Sequence, residues 1–242
     1  MIKFFQWIYT VYSVLIFFVL MLIFSLFILI PLLVSERGDR VSFFFIRLWA
    51  RLWSVLSGVR YEVHGQENID RNKPYIYIFN HRSFVDAPVI PLMIPQEVRS
   101  IGKKELSKIP VFGTVVGKLA VWVDRNDAES RRLSVEKLVK FLKQGSSIVV
   151  APEGTRNNSK ETLLPFQKGA FRLAVETQIP ILPMAIIGAE KIMARGSLLL
   201  APGKVRIYFS SPITPPPPSE TAVNDLMEKC RNRLEAMIVA HE

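Results

Sequence analysis

From Trp7 to Val34 the chain carries no formally charged side chain. That run exceeds the roughly 20 apolar residues a helix needs to cross a bilayer. It is too long for the core of a secretory signal and lacks a clear small-residue cleavage site, so it is expected to be retained. Pro31 should end or kink this helix near its far end. A chain that begins this way has to place one long helix in lipid or against an unusually large apolar surface.

A second segment follows a polar break at Arg37-Gly38-Asp39-Arg40. Residues 41–56 read as a helix with Arg47 and Arg51 four apart on one face and Phe, Leu and Trp over the rest, a pattern suited to the headgroup boundary. Two arrangements are open. The first helix spans the bilayer and the second lies on its surface, or the two form a hairpin lodged in one leaflet. Arg37, Arg40, Arg47 and Arg51 outweigh Lys3 and the terminal amine, so the positive-inside rule puts everything after residue 34 on the cytoplasmic face of a cytoplasmic membrane.

At Val59 the texture changes, and the expected division is 1–57 as anchoring helices and 58–242 as one globular domain. Strands are expected at 60–64, 74–79, 98–102, 120–124, 148–151, about 179–188 and 204–210, with helices between most of them. Alternation of this kind predicts an α/β fold with a mixed, largely parallel central sheet flanked by helices. Asn126 or Asp127 should cap the helix whose apolar positions are Val135, Leu138, Val139 and Leu142. Another helix should open across 165–171. A last one presents Val223, Leu226, Met227, Cys230, Leu234, Met237 and Ile238 on one stripe. Cys230 is the single cysteine, so no internal disulfide forms and no cysteine-rich metal site exists. The formal net charge of +10 favours an anionic partner: a membrane surface, a phosphorylated substrate, an acidic protein or nucleic acid. The cations are scattered rather than gathered in one stripe, which argues against nucleic acid.

The chemistry concentrates at Asn80-His81-Arg82-Ser83-Phe84-Val85-Asp86, where a buried strand ends and a short helix begins. α/β folds place reactive groups at such strand ends. An imidazole can take a proton at neutral pH, and a carboxylate within reach holds it in one tautomer. Three His and six Asp in 242 residues would give this spacing by chance about 7% of the time, so the pair alone is a weak signal. His81 as a strand-end residue with Asp86 as a cap is an equal reading at this point, and Ser83 is most simply a helix N-cap. Further along stand Lys103-Lys104 at a strand end, Arg125 after another, and Pro152-Glu153-Gly154-Thr155-Arg156 after a third. Arg156 offers a planar fork of donors suited to phosphate. Gly-x-Ser-x-Gly, His-Glu-x-x-His and Gly-x-Gly-x-x-Gly are absent.

The order of these segments is more specific than any one of them. Asn-His-x4-Asp, Lys-Lys-Glu-Leu with Pro-x-Phe-Gly, Asp-Arg, Pro-Glu-Gly-Thr-Arg and Ile-Pro-Ile-Leu-Pro resemble, over about residues 55–210, the glycerolipid acyltransferase family. The likeness is greatest to the bacterial 1-acyl-sn-glycerol-3-phosphate acyltransferases of the PlsC type. Ala151 departs from the phenylalanine that often precedes Pro-Glu-Gly-Thr-Arg there. The resemblance implies that His81 is the general base and Asp86 its partner. It implies that Glu153, Gly154, Thr155 and Arg156 hold the phosphate side of a lysophosphatidic acid, joined by Arg125, Lys103 and Lys104. It gives Pro180 a role near the acyl chain. The implied reaction needs no metal and no resident cofactor. An acyl-carrier protein or coenzyme A thioester is the co-substrate, and membrane lipids surround the site. Direct transfer is expected over an acyl-enzyme, because the sole Cys lies on a packing stripe and no Ser stands in an elbow motif.

Overall fold

The computed structural model describes residues 2–34, 38–124, 126–193 and 196–242. Helix α1 (Ile2–Val34) and helix α2 (Gly38–Leu56) run antiparallel. Ser42 Oγ donates to Ile28 O at 2.7 Å and Trp53 Nε1 donates to Ser13 O at 3.0 Å, so position rises along one helix as it falls along the other. Thr10, Ser13, Met21 and Ile28 form the buried seam of α1, while Phe4, Leu15, Leu22, Leu26 and Leu33 are exposed on its other sides. Pro31 sits inside the helix, which continues past it for three more residues to Val34.

The expected role of Arg47 is corrected here. Its guanidinium turns inward, donating to the carbonyls of Pro91, Ile94 and Gln96 at 3.0–3.2 Å, while Arg51 is exposed. The carbonyls at the end of a helix have no partner within it, and a guanidinium placed there satisfies several at once.

Strands and helices then alternate. They are β1 (Val59–His64), β2 (Ile76–Phe79), α3 (Asp86–Met93), β3 (Val98–Lys103), α4 (Phe112–Gly117), β4 (Ala120–Val123), α5 (Ala128–Lys143) and β5 (Ser147–Val150). The chain continues with α6 (Gly169–Thr177), β6 (Ile181–Ile187), α7 (Ala189–Ile192), β7 (Gly203–Phe209) and α8 (Ala222–His241). Asp127 caps α5, accepting the N–H of Glu129 at 3.0 Å. The helix expected to open at Pro165 begins only at Gly169, and the Gln167 N–H before it donates to Pro152 O at 2.8 Å. The helix expected to run to about Leu119 stops at Gly117.

Among the described residues seven strands lie in the order β1-β7-β6-β2-β5-β3-β4, and of these only β6 and β7 pair antiparallel. The sheet is therefore mixed and largely parallel. Every residue of β2 and β6 is buried, as central strands covered on both faces must be. Tyr77, Phe79, Val149 and Met184 pack on one face beneath Val89 and Met93 of α3, and Phe43 and Trp53 of α2 belong to this same cluster. Ile76, Ile78 and Ile148 pack on the other face against Leu138, Phe171, Leu226 and Cys230. The chain thus leaves β2 over one face and leaves its neighbour β5 over the other. Adjacent parallel strands whose connections diverge open a crevice at their carboxyl ends, where ligands bind in such sheets.

Candidate active site

His81 stands at that crevice. β2 delivers it, and Asn80 fixes the strand end: its amide nitrogen donates to Ile186 O at 2.8 Å, and its oxygen accepts the Ile186 N–H at 2.7 Å. Asn80 is buried, so both halves of its amide replace ladder bonds with β6. His81 Nδ1–H donates to Asp86 Oδ2 at 2.7 Å. The same oxygen accepts the N–H groups of Arg82 at 3.2 Å and Ser83 at 3.1 Å. Asp86 is thus held by the loop it closes, at 1% exposure, while the imidazole is 27% exposed. With Nδ1 committed, Nε2 is the nitrogen left to take a proton.

Ser83 is not the helix cap that its position predicts. α3 begins at Asp86 with Val85 before it, and Ser83 Oγ accepts the Val85 N–H at 3.3 Å. Its hydroxyl is buried and tied into the turn.

Glu153 also departs from the expected role. Oε1 accepts the backbone N–H of His81 and Oε2 that of Leu164, both at 2.8 Å. At 4% exposure the carboxylate has no free face for a phosphate, and its charge would repel one. Burial raises its pKa above the usual carboxylate value, and the two N–H groups pull against that shift. Glu153 braces the backbone of His81, so Glu153→Gln should lower kcat about 10-fold or more and leave the acceptor KM within about twofold. An amide can accept only one of the two N–H groups and turns its own NH2 against the other. Steady-state kinetics separates this from phosphate binding, which would appear in KM.

Gly154 makes the turn with φ +72, and Thr155 beyond it is exposed. Arg156 then lies with its guanidinium carbon 3.6 Å from the centroid of the Phe84 ring, three residues past His81. Lys103 and Lys104 reach the same edge of the sheet from β3, but they are paired with Glu105 at 3.1 Å and Asp124 at 3.5 Å. Arg125 lies outside the described residues. Pro180 lies far from this edge: Ile181 pairs with Ile76 at the start of β2, which puts Pro180 about 20 Å of strand away from His81.

Reaching Phe84 in the same turn as His81, an apolar groove of about 360 Å³ runs between the helical hairpin and the segments 84–88 and 193–200, lined by Phe17, Trp53, Phe84, Pro88, Met193 and Leu198 among others. Nothing in the motif spacing predicts it, because its walls come from four separated segments. Asn157 was also not foreseen. It is fully buried, and its N–H donates to His81 O at 2.7 Å.

A histidine backed by a carboxylate, a guanidinium and an apolar groove come together in this fold, a set with the chemistry to take a proton from a hydroxyl and to receive an amphipathic anion. The family model described as Acyltransferase matches residues 60–187, more than half of the chain, and the chain belongs to that family. It is 32% identical over 185 residues to a chloroplastic 1-acyl-sn-glycerol-3-phosphate acyltransferase of Brassica napus, covering 75% of this chain and 53% of that one. It is 27% identical over 191 residues to the 1-acyl-sn-glycerol-3-phosphate acyltransferase of Saccharomyces cerevisiae, covering 78% and 63%. The chain spans about half the length of the plant relatives it matches. The crystal structure of the 1-acyl-sn-glycerophosphate acyltransferase PlsC from Thermotoga maritima superposes with a TM-score of 0.82 at 26% identity over 98% of both chains.

Proposed function

We propose that this protein transfers a fatty acyl group from a thioester to the sn-2 hydroxyl of lysophosphatidic acid, giving phosphatidic acid for phospholipid synthesis. The observation that carries the reading is the 2.7 Å His81–Asp86 pair opening beside Arg156 and the apolar groove, in a chain of the acyltransferase family. His81 Nε2 removes the hydroxyl proton as the oxygen attacks the thioester carbonyl. Asp86 stabilises the imidazolium that forms. The tetrahedral intermediate collapses, the carbon–sulfur bond breaks, and the proton passes from His81 to the departing sulfur. The N–H groups of Arg82 and Ser83 are committed to Asp86, so the oxyanion is stabilised by other donors. Buried Cys230, its pKa pushed up to about 12 by burial, is no nucleophile, which favours direct transfer.

Arg156 binds the acceptor phosphate, with Lys103 and Lys104 adding a weaker field at the same edge. The donor is an acyl-carrier protein or coenzyme A thioester, both anionic and suited to a chain of net charge +10. The N-terminal helices are the anchor. α1, about 50 Å long, is apolar enough to cross a membrane by length and composition. Yet it touches the rest of the protein from Thr10, which accepts the Leu200 N–H at 2.9 Å, to Ile28, which packs on Val115. That contact along its length favours the hairpin in one leaflet over a spanning helix, with the active site at the cytoplasmic face of a cytoplasmic membrane.

The test is conversion of lysophosphatidic acid to phosphatidic acid by purified protein in vesicles, with both donor types and with glycerol 3-phosphate as a competing acceptor. Arg156→Ala should raise the KM for lysophosphatidic acid by about 10- to 100-fold, the worth of a charge-assisted bond to phosphate. Product only from glycerol 3-phosphate, or only free fatty acid, would overturn the assignment.

A further inference from the structure

Arg156 differs from the other cations at the site. Lys103 and Lys104 are exposed and paired with carboxylates, whereas no carboxylate among the described residues pairs with Arg156. What holds it is the ring of Phe84, at 3.6 Å from guanidinium carbon to centroid. A guanidinium over a ring face keeps its N–H groups in their own plane, free to meet two phosphate oxygens.

Phe84 itself is an anomaly. It lies between Ser83 at 1% exposure and Val85 at 3%, yet is 44% exposed. A phenylalanine that only filled the core would be buried with them. It also lines the apolar groove together with Phe17, Trp53 and Leu198. One ring therefore touches both the free cation and the space for a lipid chain, three residues from the base.

We propose that Phe84 is a positioning residue for the acceptor: its ring holds the Arg156 guanidinium toward the phosphate and walls the groove that takes the acceptor's acyl chain. Charge and chain are gripped within the span of one aromatic ring. In lysophosphatidic acid the phosphate and the esterified chain flank the sn-2 hydroxyl on a single glycerol, so that spacing brings the hydroxyl to His81. Glycerol 3-phosphate meets only half of this device. The inference rests on Arg156 binding the phosphate.

The experiment compares Phe84→Leu, Phe84→Trp, Arg156→Lys, Arg156→Ala and the double variant Phe84→Leu/Arg156→Lys in steady-state kinetics with lysophosphatidic acid. Unfolding midpoints are measured alongside. Leucine keeps an apolar wall but removes the ring. Phe84→Leu should raise KM about 3- to 30-fold with kcat within about threefold, and Phe84→Trp should stay near wild type. The double variant should be no worse than Arg156→Lys, because the two residues act as one unit. A wild-type KM for Phe84→Leu, or a double variant showing the product of the single effects, overturns the inference while leaving the phosphate role of Arg156 standing. An unchanged KM in Arg156→Ala overturns both.

Discussion

His81→Ala is expected to lower kcat by about 10²- to 10⁴-fold, the range in which a positioned general base contributes. The variant is a clean probe because of how His81 is held. Its backbone N–H is fixed by Glu153 and its carbonyl by the N–H of Asn157, at 2.8 and 2.7 Å. Those bonds do not involve the imidazole, so alanine leaves the strand end in place and removes only the proton acceptor. Asp86 keeps its two N–H donors from Arg82 and Ser83. The acceptor KM should therefore move little. Initial rates with a saturating thioester donor read the effect. A loss under about 10-fold would take His81 out of the proton transfer and leave positioning alone to account for the rate.

Asp86→Asn is expected to cost nearly as much, about 10²- to 10³-fold in kcat, through a different route. One carboxylate oxygen receives three donors: the imidazole Nδ1–H and two backbone N–H groups. An asparagine that keeps its oxygen toward the loop retains geometry but loses the charge that stabilises the imidazolium. One that turns its NH2 toward the ring forces Nδ1 to accept, which leaves the proton on Nε2 and the base blocked. Asp86 is 1% exposed and lies behind the histidine, so KM should stay within about threefold. Alanine at the same place should add a stability loss of about 1–3 kcal/mol, because two buried N–H groups lose their acceptor. The pH–rate profile together with thermal unfolding distinguishes the two variants. Asparagine with kcat within 10-fold of wild type would mean that the carboxylate serves the loop and not the reaction.

Much of this was legible along the chain. The run from Trp7 to Val34 announces a helix for lipid because it holds no charge. The strands stand near where their apolar runs lie, and α8 buries Leu226, Cys230, Leu234 and Ile238 at the i, i+4 spacing read from its stripe. The His81–Asp86 pair was visible because both members sit on one turn, five residues apart, where local geometry alone brings them together.

Where charged groups point was not legible. Arg47 looked like a headgroup contact and instead serves three carbonyls from residues 91–96. Glu153 looked like part of a phosphate site and instead accepts a backbone N–H from a residue 72 positions earlier. Pro180 shares the chain's motif order but sits at the end of its strand away from His81.

By itself the sequence determined what periodicity and short spacing encode: the apolar helix, the alternating strands and the histidine with its carboxylate. Only the tertiary structure decided which charges are spent on backbone and which remain for substrate. A side chain's freedom depends on the segment packed against it. For Glu153 and Arg156 that segment lies scores of residues away, brought near by the parallel pairing of β2 and β5, and the groove is closed by segments as far apart as Phe17 and Leu198.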